Sequence, residues 1–296
     1  MNSKKSLSSW FKQSRRILLA LCFSLFATTP LLGQELSKLP FVPTPQVVVD
    51  EMLKMADVSA KDFVIDLGSG DGRIVITADK RFKASGFGVD IEPKLVALAN
   101  EQAKSEGVED RVAFHERDMF KTDISKASIL ALYVLPNFMN KLRSKVLTEL
   151  KPGSRVVAHD YSMGDWYPDR QLTLTVPEKV EANGTDKAYI YLWIVPSRVS
   201  GSWRLNLDSE RNSQSLILTF KQQFQMLSAV ATSNSATQKI ENASLKGDGI
   251  NFSVSVGTNR YQFTGRVVHD KMEGNAIAAS GSKPLPWRAT RIAAGN

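Results

Sequence analysis

Between Gln46 and Pro196 the chain alternates short apolar runs with stretches of helical periodicity. The runs are Phe63-Val64-Ile65, Gly86-Phe87-Gly88-Val89, Val112-Ala113-Phe114, Ile129-Leu130-Ala131-Leu132 and Val156-Val157-Ala158. Their length suits strands, and unbroken apolar character suits strands covered on both faces. From Pro93 to Ser105, residues Leu95, Val96, Leu98, Ala99 and Ala103 make the apolar stripe of a covering helix. Strands alternating with helices predict a parallel sheet. Leu174 to Val176 and Tyr189 to Val195 read as a closing pair of strands.

After Pro196 the period changes to two. Trp203-Arg204-Leu205-Asn206-Leu207 alternates, and Phe252, Val254 and Val256 alternate with Asn251, Ser253 and Ser255, as half-buried antiparallel strands do. Gly247-Asp248-Gly249, Gly257-Thr258-Asn259 and Gly281-Ser282 punctuate these runs at hairpin spacing. The pattern predicts an all-β domain over residues 197–296, a small barrel or a sandwich, with Pro196 to Gly201 as the linker. Gly201-Ser202-Trp203 at its start and Trp287-Arg288-Ala289-Thr290-Arg291 at its end resemble small lipocalin-like barrels.

Ahead of both regions, a basic stretch ending at Arg16 precedes an apolar run from Ile17 to Ala27 and the small residue Gly33. This is the anatomy of a signal peptide over residues 1–33, and the run is shorter than the ~20 residues a spanning helix needs. Ser14-Arg15-Arg16-Ile17-Leu18-Leu19 also resembles a twin-arginine signal, an ordinary basic n-region being the other reading. Either way the expectation is an exported, periplasmic or membrane-associated protein, with the segment cleaved or kept as a membrane tether.

Composition narrows the chemistry. With 296 residues, 43% hydrophobic and 23% charged, the chain is long enough for two cored domains, here 34–196 and 197–296. The single cysteine, Cys22, falls in the leader, which excludes a disulfide framework and a cysteine zinc site. The net charge is +8, but Lys4, Lys5, Lys12, Arg15 and Arg16 lie in the leader without any acid, so removing those five leaves +3. A nucleic-acid partner is therefore not expected. His115, His159 and His269 sit in separate segments, so no metal site is expected, and no Ser-His-Asp set or P-loop lysine is visible.

The informative stretch is Val64-Ile65-Asp66-Leu67-Gly68-Ser69-Gly70-Asp71-Gly72-Arg73, a strand that ends beside an acid and runs into a glycine-rich turn opening a helix. Gly68, Gly70 and Gly72 let the backbone turn sharply and let a ligand approach closely. Asp71 sits where a phosphate would go and Asp66 precedes the loop; two carboxylates repel a phosphate and suit a cationic amino-acid ligand. S-adenosyl-L-methionine carries a sulfonium and an ammonium and no phosphate. Asp90 ends the second strand about 20 residues on, where a carboxylate accepts both hydroxyls of a ribose. Asp118, after the third strand, suits the adenine amino group, with Met119 or Phe120 against the ring. Singly, each acid reads equally as a helix cap or a solvated turn residue; three successive strand ends make a cofactor rim.

These residues resemble class I S-adenosylmethionine-dependent methyltransferases over residues 41 to about 195. More narrowly, Pro40-Phe41-Val42-Pro43-Thr44-Pro45-Gln46-Val47, the Asp66 to Arg73 loop, Asp118-Met119-Phe120, Leu135-Pro136 and Trp166-Tyr167-Pro168-Asp169 resemble the lysine methyltransferases of the ATP synthase c-subunit and the adenine nucleotide translocase. The resemblance implies an α/β, Rossmann-like seven-stranded methyltransferase sheet and methylation of lysines in membrane carriers. The leader and the added β domain depart from that family.

Methyl transfer to an amine asks the protein for alignment, for exclusion of water and for a neutral acceptor. Tyr133, in the fourth strand's exit Ala131-Leu132-Tyr133-Val134-Leu135-Pro136-Asn137, presents a hydroxyl and a ring face to an amine and is the expected catalytic residue; a core aromatic is the bland alternative. Nucleic-acid amino-methyltransferases commonly carry an Asn or Asp followed by Pro-Pro and an aromatic here, which this chain lacks. Phe41 to Pro45 reads as a stiff lid or a plain linker, and Trp166, Tyr167 and Asp169 as an acceptor border or as packing. Rival expectations are a small-molecule or lipid acceptor, or a binding module on a retained methyltransferase scaffold whose β domain holds a partner or an apolar ligand.

Overall fold

The apolar runs become strands β1 (Phe63–Leu67), β2 (Ser85–Asp90), β3 (Val112–Glu116), β4 (Ile129–Leu132) and β5 (Arg155–His159) of one sheet. The computed structural model describes residues 41–207, 214–233, 236–281 and 283–293, so the leader expected over residues 1–33, with Cys22, lies outside the described residues. β6 (Arg170–Thr175) and β7 (Lys187–Ile194) complete a seven-stranded mixed sheet in the order β3-β2-β1-β4-β5-β7-β6. The first five are parallel, and β7 runs antiparallel to both β5 and β6.

Five helices accompany these strands: α1 (Gln46–Met55), α2 (Arg73–Phe82), α3 (Pro93–Ser105), α4 (Pro136–Glu149) and the short α5 (Lys179–Asn183). Every residue of β4 is buried, as a central strand covered on both faces requires. Val48, Val49, Met52 and Leu53 of α1 join Val64, Ile129, Ala131 and Val157 of the sheet in one core. The chain moves outward from β1 to β3, then returns to start β4 beside β1. That reversal opens a crevice at the carboxyl ends of β1 and β4, where open α/β sheets bind ligands.

The remaining strands are β8 (Gly201–Leu207), β9 (Gln214–Gln223), β10 (Met226–Thr232), β11 (Thr237–Lys239), β12 (Glu241–Lys246), β13 (Gly249–Val256), β14 (Asn259–Val268), β15 (Lys271–Ala278) and β16 (Leu285–Arg291). They form a nearly closed antiparallel sheet in the order β11-β10-β9-β8-β16-β15-β14-β13-β12. Its two edges are consecutive in the chain, so Ile240 leads from one to the other, donating its N–H to Ala229 O at 3.0 Å. Gly265 and Gly274 face each other across β14 and β15, and a Cβ on Gly265 would stand 2.6 Å from Trp287. The two glycines let the sheet curl tightly around that indole. Trp203, Phe220, Phe252, Phe263 and Trp287 fill the interior at no more than 1% exposure, so this sheet encloses a packed core. Val42–Asn296, including both sheets, makes one compact unit. Among the described residues, no helix is long and apolar enough to cross a membrane.

Candidate active site

Leaving β1, the chain crosses to β2: the N–H groups of Gly68 and Ser69 donate to Val89 O at 2.8 and 2.9 Å. The next residues are held by a side chain, since Gly70 N–H donates to Asp90 Oδ2 at 3.0 Å. Asp90 Oδ1 accepts from Glu92 N–H at 3.0 Å, so one carboxylate fixes the glycine loop and the start of α3 together. Two lone pairs of that carboxylate stay open for a ligand. Gly72 adopts φ +83°, and a Cβ there would lie 2.5 Å from the Phe114 ring, so only glycine serves. At Gly68 a Cβ would meet Val134 Cγ1 at 3.2 Å and Met119 Cε at 3.9 Å. The exits of β1, β3 and β4 therefore meet at one point.

Asp66 is the buried acid of this rim, 1% exposed, and its Oδ1 has no hydrogen-bond partner; neither has Ser69 Oγ. Burial, then the charges of Asp90 and Asp71, push the Asp66 carboxyl up to about 8. It is protonated at neutral pH until a cation arrives. An orphaned buried carboxyl behind a glycine cradle fits a ligand with an ammonium group, and S-adenosylmethionine has one.

Asp71 behaves differently from Asp66. Arg73 Nε donates to its Oδ1 at 3.0 Å and Arg73 Nη2 to its Oδ2 at 2.6 Å. Arg73 Nη1 then donates to Thr44 O at 2.8 Å. Much of the charge set against phosphate is thus neutralised, and Asp71 ties the Pro43 to Pro45 segment to the loop. Thr44 is buried and its hydroxyl lies 3.2 Å from His159 Nδ1, so this segment is a fixed wall and not a hinged lid. Asp118 stands in the turn after β3, its Oδ1 accepting from Phe120 N–H at 2.8 Å and its Oδ2 3.8 Å from Lys121 Nζ.

Tyr133 follows β4 and is half-buried. Its ring packs on His159 with centroids 4.1 Å apart, Tyr161 lies parallel at 6.2 Å, and Asn183 Nδ2 donates to its hydroxyl at 3.3 Å. Burial pushes the phenol pKa up, so the hydroxyl stays protonated at neutral pH. Behind it is a network that sequence reasoning missed. Lys179, 2% exposed, donates to Asp160 Oδ1 and Oδ2 at 2.7 and 2.5 Å and to Lys187 O at 2.7 Å. His159 completes the group, and burial drops its pKa to about 4, leaving it neutral. Of the acceptor-border residues, Trp166 is fully buried, Tyr167 is exposed, and Asp169 Oδ2 accepts from Ile194 N–H at 2.7 Å.

Fold and rim together define an S-adenosylmethionine-dependent methyltransferase. Comparison carries the assignment further, because a profile of the ANTKMT methyltransferase domain matches residues 66–170. The protein-lysine N-methyltransferase of Saccharolobus islandicus is 38% identical over 157 residues, which are 53% of this chain and 93% of that protein. A Xenopus laevis lysine N-methyltransferase named for the ATP synthase C-subunit is 37% identical over 144 residues, 48% of this chain and 62% of the frog protein. An RNA methyltransferase from Salinibacter ruber, crystallised with S-adenosyl-L-homocysteine, is 45% identical with a TM-score of 0.49, covering 53% of this chain and 96% of that one. The chain belongs to the ANTKMT methyltransferase family.

The neutral Asp66 carboxyl has a measurable consequence. Its folded pKa lies above its unfolded value, so its contribution to stability is complete below about pH 4 and is lost as pH rises towards about 8. Binding a cation at neutral pH ionises it, releasing a proton. The cofactor's binding enthalpy at pH 7 is expected to vary with the ionisation enthalpy of the buffer, and Asp66→Asn is expected to remove that dependence.

Proposed function

We propose that this chain transfers a methyl group from S-adenosylmethionine to a lysine amine of a membrane-associated protein. The carrying observation is the orphaned Asp66 carboxyl behind the Gly68 cradle, a side chain's width from the β4 exit. The bound cofactor supplies an electrophilic methyl carbon. In this reading Asp66 receives its ammonium, Asp90 its ribose hydroxyls and Asp118 its adenine amino group, with Met119 against the ring and Gly68 and Gly70 admitting its backbone. Asp71 acts as a structural clip through Arg73. Tyr133 offers its ring face to the lysine side chain and its oxygen to the amine, which sheds its proton to solvent as burial lowers its pKa.

The protein acceptor is supported by the lysine N-methyltransferases among the relatives, and two of these are named for membrane-carrier targets. The packed interior of the second sheet speaks against an apolar ligand held inside it, so the scaffold and lipid readings are not favoured. A lipocalin-like barrel is the finer description proposed for that sheet, supported by the chain's continuity between its two edges.

Incubating the chain with radiolabelled cofactor and separate protein, RNA and lipid fractions of the same cells tests the acceptor. Label is expected in protein, on lysine; label confined to RNA or lipid would overturn the proposal. Tyr133→Phe is expected to keep most activity if the ring face dominates, whereas Tyr133→Ala should lower kcat by about a hundredfold. Export remains part of the proposal, resting on the basic leader and its apolar run. A reporter fused after residue 40 is expected to be active outside the cytoplasm, and a cytoplasmic signal would contradict it.

A further inference from the structure

The turn between β9 and β10 reaches the loop that leaves β5, and it does so with three side chains. Gln225 uses both ends of its amide: Oε1 accepts from Trp166 Nε1–H at 2.9 Å, and Nε2 donates to Tyr167 O at 2.7 Å. Phe224 stacks on Trp166 with centroids 5.7 Å apart and planes 16° off parallel. The opposite side of the buried indole meets Trp193 at 6.1 Å. Gln222 binds the connection between the two sheets, accepting from Val199 N–H at 2.7 Å and donating to Ser197 O at 2.8 Å. Phe224 holds φ at +54°, a left-handed backbone that a bulky residue seldom adopts and that persists only where its surroundings enforce it.

The gripped loop begins at Asp160 and Tyr161, beside Tyr133, and ends at Trp166 and Tyr167. Arg143 of α4 fastens its middle, donating to Met163 O at 2.8 Å while its guanidinium lies 5.5 Å from the Phe224 ring. α4 starts three residues after Tyr133, so the turn joins the two elements that flank this tyrosine. The cofactor loop, by contrast, is held by β2 and Asp90 and shares no hydrogen bond with the turn.

We propose that Phe224 and Gln225 are positioning residues for the acceptor: the second sheet clamps the loop of residues 160–167, so that Tyr161 and Tyr133 keep their parallel setting when a protein docks. The proposal rests on the methyltransferase reading and adds a role for the second sheet within it. Its test compares the full chain with Gln225→Ala and Phe224→Gly, the latter removing the ring while suiting the left-handed backbone. Amide exchange across residues 161–167 is expected to quicken about tenfold in both. With detergent-solubilised membrane protein as the acceptor, KM should rise about fivefold with a smaller fall in kcat, and Phe224→Tyr should restore it. Affinity for S-adenosylhomocysteine should stay within about twofold of the parent. Unchanged exchange, an unchanged acceptor KM, or weakened cofactor binding would each overturn the clamp. No transfer by the parent chain would instead sink the methyltransferase reading and the positioning role with it, a result that variant data cannot mimic.

Discussion

Replacing Asp90 by alanine should weaken cofactor binding by roughly two to three orders of magnitude. The carboxylate is proposed to accept two ribose hydroxyls, and charge-assisted hydrogen bonds contribute about 1.5–3 kcal/mol each, with about 1.4 kcal/mol per tenfold in affinity. The same substitution frees Gly70 N–H and Glu92 N–H, which Asp90 now holds at 3.0 Å each. Loosening of the loop therefore adds to the loss. Asp90→Asn keeps an acceptor oxygen in place and should lose less, about tenfold. Calorimetric titration measures both, with a thermal scan to verify the fold. An affinity unchanged in Asp90→Ala would remove Asp90 from the site.

The largest effect on stability should come from Asp160→Ala, at about 3–5 kcal/mol, because it leaves the Lys179 ammonium buried without its counter-charge. Lys179 has a side chain only 1% exposed, and the neutral His159 beside it cannot replace the lost charge. At about 2–4 °C per kcal/mol for a domain of this size, Tm should fall by roughly 6–20 °C. Asp160 also holds φ at +61°, which alanine tolerates poorly, so Asp160→Asn separates backbone strain from charge. The double variant Asp160→Ala with Lys179→Met should recover most of the loss, since it removes both buried charges. A double variant less stable than Asp160→Ala would show that the lysine is held by its other contacts.

These two residues mark what the sequence discloses and what it hides. Asp66, Asp90 and the glycines were legible because the signal is local: each acid ends a strand, and strands at regular spacing announce a parallel sheet. Their convergence followed from topology, since every parallel strand delivers its carboxyl end to the same edge. Lys179 gave no such sign. Its burial depends on Asp160, nineteen residues away, and on the antiparallel return of β7 beside β5, which no local pattern encodes. Asp71 was legible as an acid in the right loop, but not as the partner of Arg73, although the pair lies only two residues apart. The second sheet was read from β8 and β13, whose alternation is regular; the β9 to β10 turn carries its meaning in Phe224 and Gln225, whose partners lie some 58 residues back.

A crystal of the full chain grown with S-adenosylhomocysteine bears most directly on the rim of acids. The expected density has the ribose hydroxyls on Asp90, the adenine between Asp118 and Met119, and the amino group on the otherwise unpartnered oxygen of Asp66. Density for the ligand elsewhere, or a rim that stays empty at saturating ligand, would contradict the account.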